Sequence, residues 1–300
     1  MSGPARAAPG PETLTRRMAR GLLGSPKATL AGIVCVLLIA AALLAPAIAP
    51  QNPYDLNEID FFDARLPPGT EGYNGMTYWL GSDTQGRDML SAMLYGLRTS
   101  LAVGLTAGIA ALLVGTAAGL VAAYAGGRVE SLIMRLVDLM LGFPTILVAL
   151  IILVVFGQGT SKVIVALIVV QWAYFARAVR GAALVEAGKD YVDAARCLGL
   201  STARILAYHI LPNCLPPLIV IGTIQVASAI AAEATLSFLG IGLPITQPSL
   251  GLLIANGYQV LLAGLYWMSV FPGLLLLVLV FSINVVGDRL REILNPRLAQ

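Results

Sequence analysis

Long apolar runs alternate with short polar segments along this chain. Five runs, residues 30–49, 100–124, 136–156, 215–240 and 265–286, are each long enough to cross a hydrocarbon core about 30 Å thick, which takes about 20 helical residues. A sixth run, 163–175, is shorter. At about 1.5 Å per residue its apolar part reaches roughly 20 Å, and Lys162 and Arg177 at its ends can snorkel to the interfaces. The pattern predicts an all-α integral membrane protein with six transmembrane helices, because within lipid every backbone amide must find its partner inside its own segment. The continuous runs exclude a membrane barrel, whose strands alternate.

The interruptions are informative too. Residues 50–101 form an external segment with Asp55, Glu58, Asp60, Asp63, Glu71, Asp83, Asp88 and many turn formers. Its end, WLGSDTQGRDMLSAMLYGLRTSL, predicts a turn capped by Ser82 or Asp83. A helix follows, with Met89, Met93 and Leu97 at helical spacing, lying at the interface ahead of the second span. Asp83, Arg87 and Asp88 are candidates for docking an external partner. In the second span Gly104, Gly108, Gly115 and Gly119 fall within a sector of about 60 degrees, a smooth face for close packing against a helix of this chain or another. The third span opens with Arg135 and Asp138, placed to pair on one face, and Pro144 predicts a kink. Between the last two spans, residues 243–264 predict a short external or re-entrant helix. The chain divides into a tail (1–28), a first span (29–49), an external segment (50–99), a core (100–288) and a second tail (289–300).

Composition agrees: 58% of residues are hydrophobic, 12% are charged and mean hydropathy is +0.83, beyond what a soluble core needs. The 19 Lys and Arg residues are asymmetric across the spans. Arg6, Arg16, Arg17, Arg20, Lys27, Arg128, Arg135, Arg177, Arg180, Lys189, Arg196, Arg204, Arg289, Arg291 and Arg297 fall on one side. Only Arg65, Arg87, Arg98 and Lys162 fall on the other. The positive-inside rule places both termini in the cytoplasm. This sidedness explains the net charge of +3 without a nucleic-acid partner. The first run resembles a signal peptide ending at Ala47-Ile-Ala49, but it is long for a signal core and Pro50 follows the cut, so an uncleaved helix is expected. Cys35, Cys197 and Cys214 are expected to be free thiols.

The polar stretch YVDAARCLGLSTARILAYHILPN, residues 191–213, is an island between apolar runs. Residues 190–198 suit an amphipathic helix with Tyr191, Ala194, Ala195 and Leu198 on one face. Gly199 can stop it in the left-handed conformation. Ser201 can cap a second helix running to Ile210, which Pro212 ends. Two short helices at a sharp angle on the cytoplasmic side, with small alanines, are built like a knob for a socket.

Catalytic chemistry is poorly supplied. His209 is the single histidine, so histidine metal clusters and imidazole triads lack their parts, and a structural interfacial role is expected for it. There is no phosphate-binding loop: Gly188-Lys189 is followed by Asp190, and Ala183 stands where the first glycine belongs. Glu233 is the only carboxylate well inside a span. It is either a functional group of the pathway or a bundle-facing residue satisfied by polar neighbours.

Asp193, Ala194, Ala195, Gly199, Leu211 and Pro212 match the spacing of the EAA loop, and the chain resembles the permeases of binding-protein-dependent ABC importers. Two departures occur: Asp replaces Glu at position 193, and His209 stands where the pattern has Ile. The blocks LGSDTQGRD from Leu80, IMRLVDLMLGFP from Ile133, ATLSFLGIG from Ala234 and GDRLREILNPR from Gly287 are similar to the dipeptide, oligopeptide and nickel subfamily. The resemblance implies a type I ABC importer permease fold in a bacterial inner membrane, with a coupling loop over residues 186–213. It also implies a second permease subunit, two cytoplasmic ATPases that bind ATP and Mg, and an extracytoplasmic solute-binding protein. This chain itself is expected to bind no cofactor and to carry no catalytic residue. Peptides lead as cargo over nickel chelates, glutathione or opines by resemblance alone. The alternative mechanism, an ion-gradient-driven secondary transporter using Glu233, requires inverted repeats and several intramembrane polar groups.

Overall fold

The computed structural model describes residues 14–73 and 75–294; Arg6, Arg297 and the outer parts of both predicted tails lie outside them. The chain opens with a short helix α1 (Leu14–Leu23), and Pro26 at the first turn of α2 (Pro26–Ile48) starts the first long apolar helix. A proline there costs nothing, since its missing N–H has no helical acceptor.

Residues between α2 and the next helix form a compact cap containing a two-stranded antiparallel hairpin, β1 (Thr70–Glu71) and β2 (Thr77–Tyr78). No separate interfacial helix precedes the second span. Met89 starts a single helix, α3 (Met89–Ala125), whose N-cap is Asp88 rather than Ser82 or Asp83, with its carboxylate accepting from Ser91 N at 2.7 Å. Met89 and Ala92 are buried at the cap, so the helical spacing seen there extends the span back into the cap instead of marking a surface helix.

The third apolar run is two helices, α4 (Gly127–Gly142) and α5 (Thr145–Phe156), bent by 93°. Pro144 forces the preceding Phe143 into extended backbone (φ −97°, ψ 145°), because its ring clashes with a helical residue before it. The bend exceeds a kink, and the 12 residues of α5 reach only about 18 Å. The shortest predicted run is by contrast the core of a 28-residue helix, α6 (Thr160–Ala187). Polar Gln171 and the arginines at 177 and 180 hide it from a hydropathy reading.

Beyond α6 come α7 (Asp190–Cys197), α8 (Thr202–Ile205), a π-helical turn (Leu206–Ile210) and α9 (Leu211–Phe238). The predicted helix between the last two spans is α10 (Leu250–Gln259), capped by the Ser249 hydroxyl, and α11 (Trp267–Leu294) closes the described chain. Among the described residues five helices are long and apolar enough to cross a membrane, and the bent pair makes a sixth span if counted as one.

The most extensive packing is between α3 and α6, followed by α3 and α9. The glycines on α3 are the reason. A Cβ at Gly108 would lie 2.8 Å from Val226, one at Gly104 would overlap Ile230, and those at Gly115 and Gly119 would overlap backbone of α6 at Trp172 and Ala176. The small face therefore serves neighbours within this chain, its N-terminal half against α9 and its C-terminal half against α6. Gly115→Ala is expected to destabilise the fold by about 1–3 kcal/mol, the usual cost of overpacking, measured as a lower midpoint in thermal unfolding of the detergent-solubilised protein. An unchanged midpoint would show that α3 and α6 are not in contact there.

Candidate coupling site

The polar island folds at one end of the bundle where α6, α7 and the start of α9 converge. Val192 and Ala195, three residues apart, are both buried and pack with Val179 and Ala183 of α6 and with Ile205 and Ile210. This corrects the face predicted for α7. Val192, the largest aliphatic side chain of the helix, turns inward and carries Ala195 with it, while Ala194 and Leu198 face solvent, Leu198 at 79% exposure. Asp193 also points outward and is bonded to Arg196 at 2.8 Å.

Gly199 ends α7 as expected, at φ 70°. The hydrogen bonds complete a Schellman motif: Gly199 N donates to Arg196 O at 2.9 Å and Leu200 N to Ala195 O at 3.2 Å. The left-handed residue thus satisfies carbonyls the helix end would leave open, and Leu200 packs onto the cluster that holds Ala195.

The second half of the island departs from expectation. Ser201 occupies the cap position, but its hydroxyl makes no capping bond. Pro212 does not end a helix; it sits in the first turn of α9, continuous with the π-helical turn before it. A proline ring collides with the carbonyl four residues earlier, here Tyr208, and the wider π turn makes room for it. Leu211 N then donates to Leu206 O, five residues back. The island is consequently one short helix, a tight turn and the root of a long membrane helix.

A polar latch closes the join. The Tyr191 hydroxyl donates to Glu186 Oε2 at 2.6 Å at the end of α6, and Asn213 Nδ2 donates to Tyr191 at 3.2 Å and to His209 O at 2.7 Å. Desolvation and the Glu186 carboxylate push the Tyr191 phenol up to about 12. Pattern reading had placed Tyr191 on an apolar face; its hydroxyl is instead what joins three elements. His209 is half-buried and contributes its backbone carbonyl.

Around Glu233 the bundle is polar and closed. The carboxyl group, fully buried, accepts from the Ser100 hydroxyl of α3 at 2.8 Å and from the Ser237 hydroxyl at 2.7 Å. Ser100 and Ser237 in turn accept longer bonds, 3.4 Å, from the backbone N–H groups of Leu250 and Leu243. Leu250 is the first residue of α10, so the carboxyl group is linked through a hydroxyl to a helix N-terminus, whose dipole favours negative charge. Glu233 is therefore satisfied within the bundle by polar neighbours.

The three outer candidates turn inward. Asp83, Arg87 and Asp88 are all buried. Arg87 Nε donates to Asp83 Oδ2 at 2.7 Å, and Asp83 Oδ1 accepts from the N–H groups of Gln85 and Arg87. Asp88 takes both the backbone N–H and the hydroxyl of Ser91, while its own N–H donates to Gln51 Oε1 at 2.6 Å. Desolvation pushes the Asp88 carboxyl above the usual range, and its bonds to Ser91 oppose this. These residues tie the cap to α3 and offer no side-chain surface to a partner. Arg135 and Asp138 do not pair either: Asp138 bonds Arg177, and Glu130 bonds Arg180. The 93° bend lays α4 along α6 and brings these charges together.

Comparison with known proteins accounts for this arrangement. Residues 111–300 match the family described as the inner membrane component of binding-protein-dependent transport systems, and residues 13–68 match the N-terminal transmembrane domain of oligopeptide transport permease C. The chain belongs to the binding-protein-dependent permease family. Relatives include a putative peptide transport system permease of Brucella suis, 42% identical over 89% of this chain and 87% of the relative. The di/tripeptide permease of Pseudomonas aeruginosa is 37% identical over 91% and 89%. The oligopeptide permease of Bacillus subtilis is 34% identical over 89% and 84%. The fold is that of solved ABC transporter permeases: a chain of the MetNI methionine transporter in an inward-facing conformation aligns with a TM-score of 0.56, at 23% identity, over 69% of this chain and 98% of its own. The family match thus includes the end of α3 and α4 to α11 entire, and the N-terminal match spans α1, α2 and the start of the cap.

Proposed function

We propose that this permease is one of two membrane subunits of an ATP-driven importer of di- or oligopeptides, with α7 and the Gly199 turn as the element that engages a cytoplasmic ATPase. The observation that carries this reading is the two-sidedness of α7: its inner face is anchored to α6 and the root of α9, while Asp193, Ala194 and Leu198 project outward. An exposed leucine on a short anchored helix suits a partner's groove, and the anchor transmits the partner's movement into the spans. Two ATPases bind ATP and Mg, so the energy source lies outside this chain. Both termini lie in the cytoplasm, as the basic residues require, and the cap faces a solute-binding protein. With Asp83, Arg87 and Asp88 buried, exposed Phe61, Phe62 and Tyr73 are the residues of the cap that such a partner meets. Peptide as cargo is supported by the names of the relatives.

Reconstitution with the cognate permease, ATPases and binding protein tests the proposal. ATP hydrolysis is expected to rise when the binding protein carries a peptide, and uptake into sealed vesicles should require ATP and survive an ionophore. Uptake that collapses with the ion gradient and ignores ATP would establish the secondary-transport reading instead.

A further inference from the structure

We propose that α1 and the cytoplasmic foot of α2 form a binding site for a single anionic phospholipid. On α1, Arg16 and Arg17 are both exposed, as is Lys27 at the start of α2. The side of α1 next to Arg17 is committed to the bundle: Gly21 packs under Ile293 of α11, closely enough that a Cβ would sit 2.5 Å from it, and Gly21 O accepts from Arg289 Nε at 3.2 Å. Thr29 Oγ1 donates to Leu22 O at 3.1 Å, fixing α1 against α2. The basic side is therefore held in place next to a span.

Beside that basic side runs an apolar groove of about 360 Å³, lined by Leu22, Leu23, Ile33, Val36, Leu37 and Val286. Ile33, Val36 and Leu37 are exposed on the surface of a helix that crosses the bilayer, so the groove opens to lipid. It follows α2 from Ala28 to Leu37, about 13 Å of helix, a length that suits an extended acyl chain. Lys27 adjoins Ala28 at its basic end. Lys27 next to an apolar channel in the bilayer, with Arg16 and Arg17 on the helix whose Leu22 and Leu23 line it, complements a negative headgroup bearing a chain, and juxtamembrane basic residues attract anionic lipid individually as well. A peptide or a free phosphate matches only half of this surface. The inference rests on the reading that this end of α2 is cytoplasmic.

The assembled transporter, purified in mild detergent and exchanged into nanodiscs of phosphatidylcholine with a minor fraction of phosphatidylglycerol, provides the test. Native mass spectrometry after release is expected to find phosphatidylglycerol retained well above its share. The combined variant Arg16→Gln, Arg17→Gln, Lys27→Gln should lower its apparent affinity on the order of 100-fold. Gly32→Phe, which projects a ring into the groove where a Cβ meets nothing within 4 Å, should remove retention with every charge intact. Equal retention in wild type and both variants overturns the proposal. So does crosslinking from a cysteine at position 36 to a second copy or another subunit in place of lipid. Labelling a cysteine at position 23 with an impermeant thiol reagent in oriented vesicles scores the sidedness separately, so an inverted topology is distinguished from an empty site.

Discussion

Ala195→Glu is expected to abolish transport while the protein still inserts into the membrane. Ala195 lies buried among Val179, Ala183, Val192 and Ile205, with no cation in that cluster to receive a carboxylate. An unpaired buried charge costs several kcal/mol, far more than an eight-residue helix gains by staying seated. α7 should leave its site, and the turn at Gly199 with it, because Leu200 N donates to Ala195 O. Peptide uptake in reconstituted vesicles should fall on the order of 100-fold or more, with little change in the amount of protein recovered from membranes. Leu198→Glu separates anchoring from docking. Leu198 is exposed, so this variant should keep the internal packing of α7 and lose co-purification of the ATPase. If Ala195→Glu transports at the normal rate, the inner face of α7 is not an anchor and the coupling assignment fails with it.

How far the coupling site could be read from sequence depends on the range of the interactions that build it. Gly199 was legible because a helix stop in the left-handed region is a local matter of one missing Cβ, and the structure places it at φ 70°. The inward face of α7 was not, since Tyr191, Ala194, Ala195 and Leu198 form as good an apolar arc as Val192 and Ala195, and only the docked α6 decides between them. Pro212 misled for a physical reason. Proline ends helices when the chain has no other way to avoid the clash, and here a π turn supplies one. Asp138 pairs with Arg177 instead of Arg135 because the broken third run lays α4 against α6, a contact that a kinked continuous span does not make. Asp83, Arg87 and Asp88 were read as docking candidates because they were counted without their partners. Asp83 has its partner only four residues away, at Arg87, and that spacing was the available signal. Five of the six spans, the helix between the last two and the small face of α3 were legible because bilayer thickness and side-chain volume act on contiguous residues.

Glu233 shows the same division, and its replacement decides between two mechanisms. Ser237, four residues on, is its neighbour on one face of α9, and the sequence alone contains that pair. Ser100, 133 positions away in the chain, is supplied only by the packing of α3 on α9. Glu233→Leu leaves both hydroxyls without their acceptor. At about 1–3 kcal/mol for each buried polar group left unpaired, the expected loss is about 2–6 kcal/mol, reduced where a serine turns back to a carbonyl of its own helix. The link from α3 through Ser100 to the Leu250 N–H of α10 should loosen at the same time, and proteolysis of the 243–249 connection is a direct measure of it. Glu233→Gln behaves differently, because an amide oxygen can accept from Ser100 while its nitrogen donates to Ser237. Stability and peptide uptake of that variant are expected to stay close to wild type between pH 6 and 8. A pathway that moves a proton through Glu233 makes the opposite prediction: glutamine cannot ionise, so uptake would stop although the fold persists. Glu233→Gln inactive with an unchanged unfolding midpoint would therefore assign the carboxyl group to transport itself, whereas active Glu233→Gln beside unstable Glu233→Leu assigns it to holding α3, α9 and α10 together.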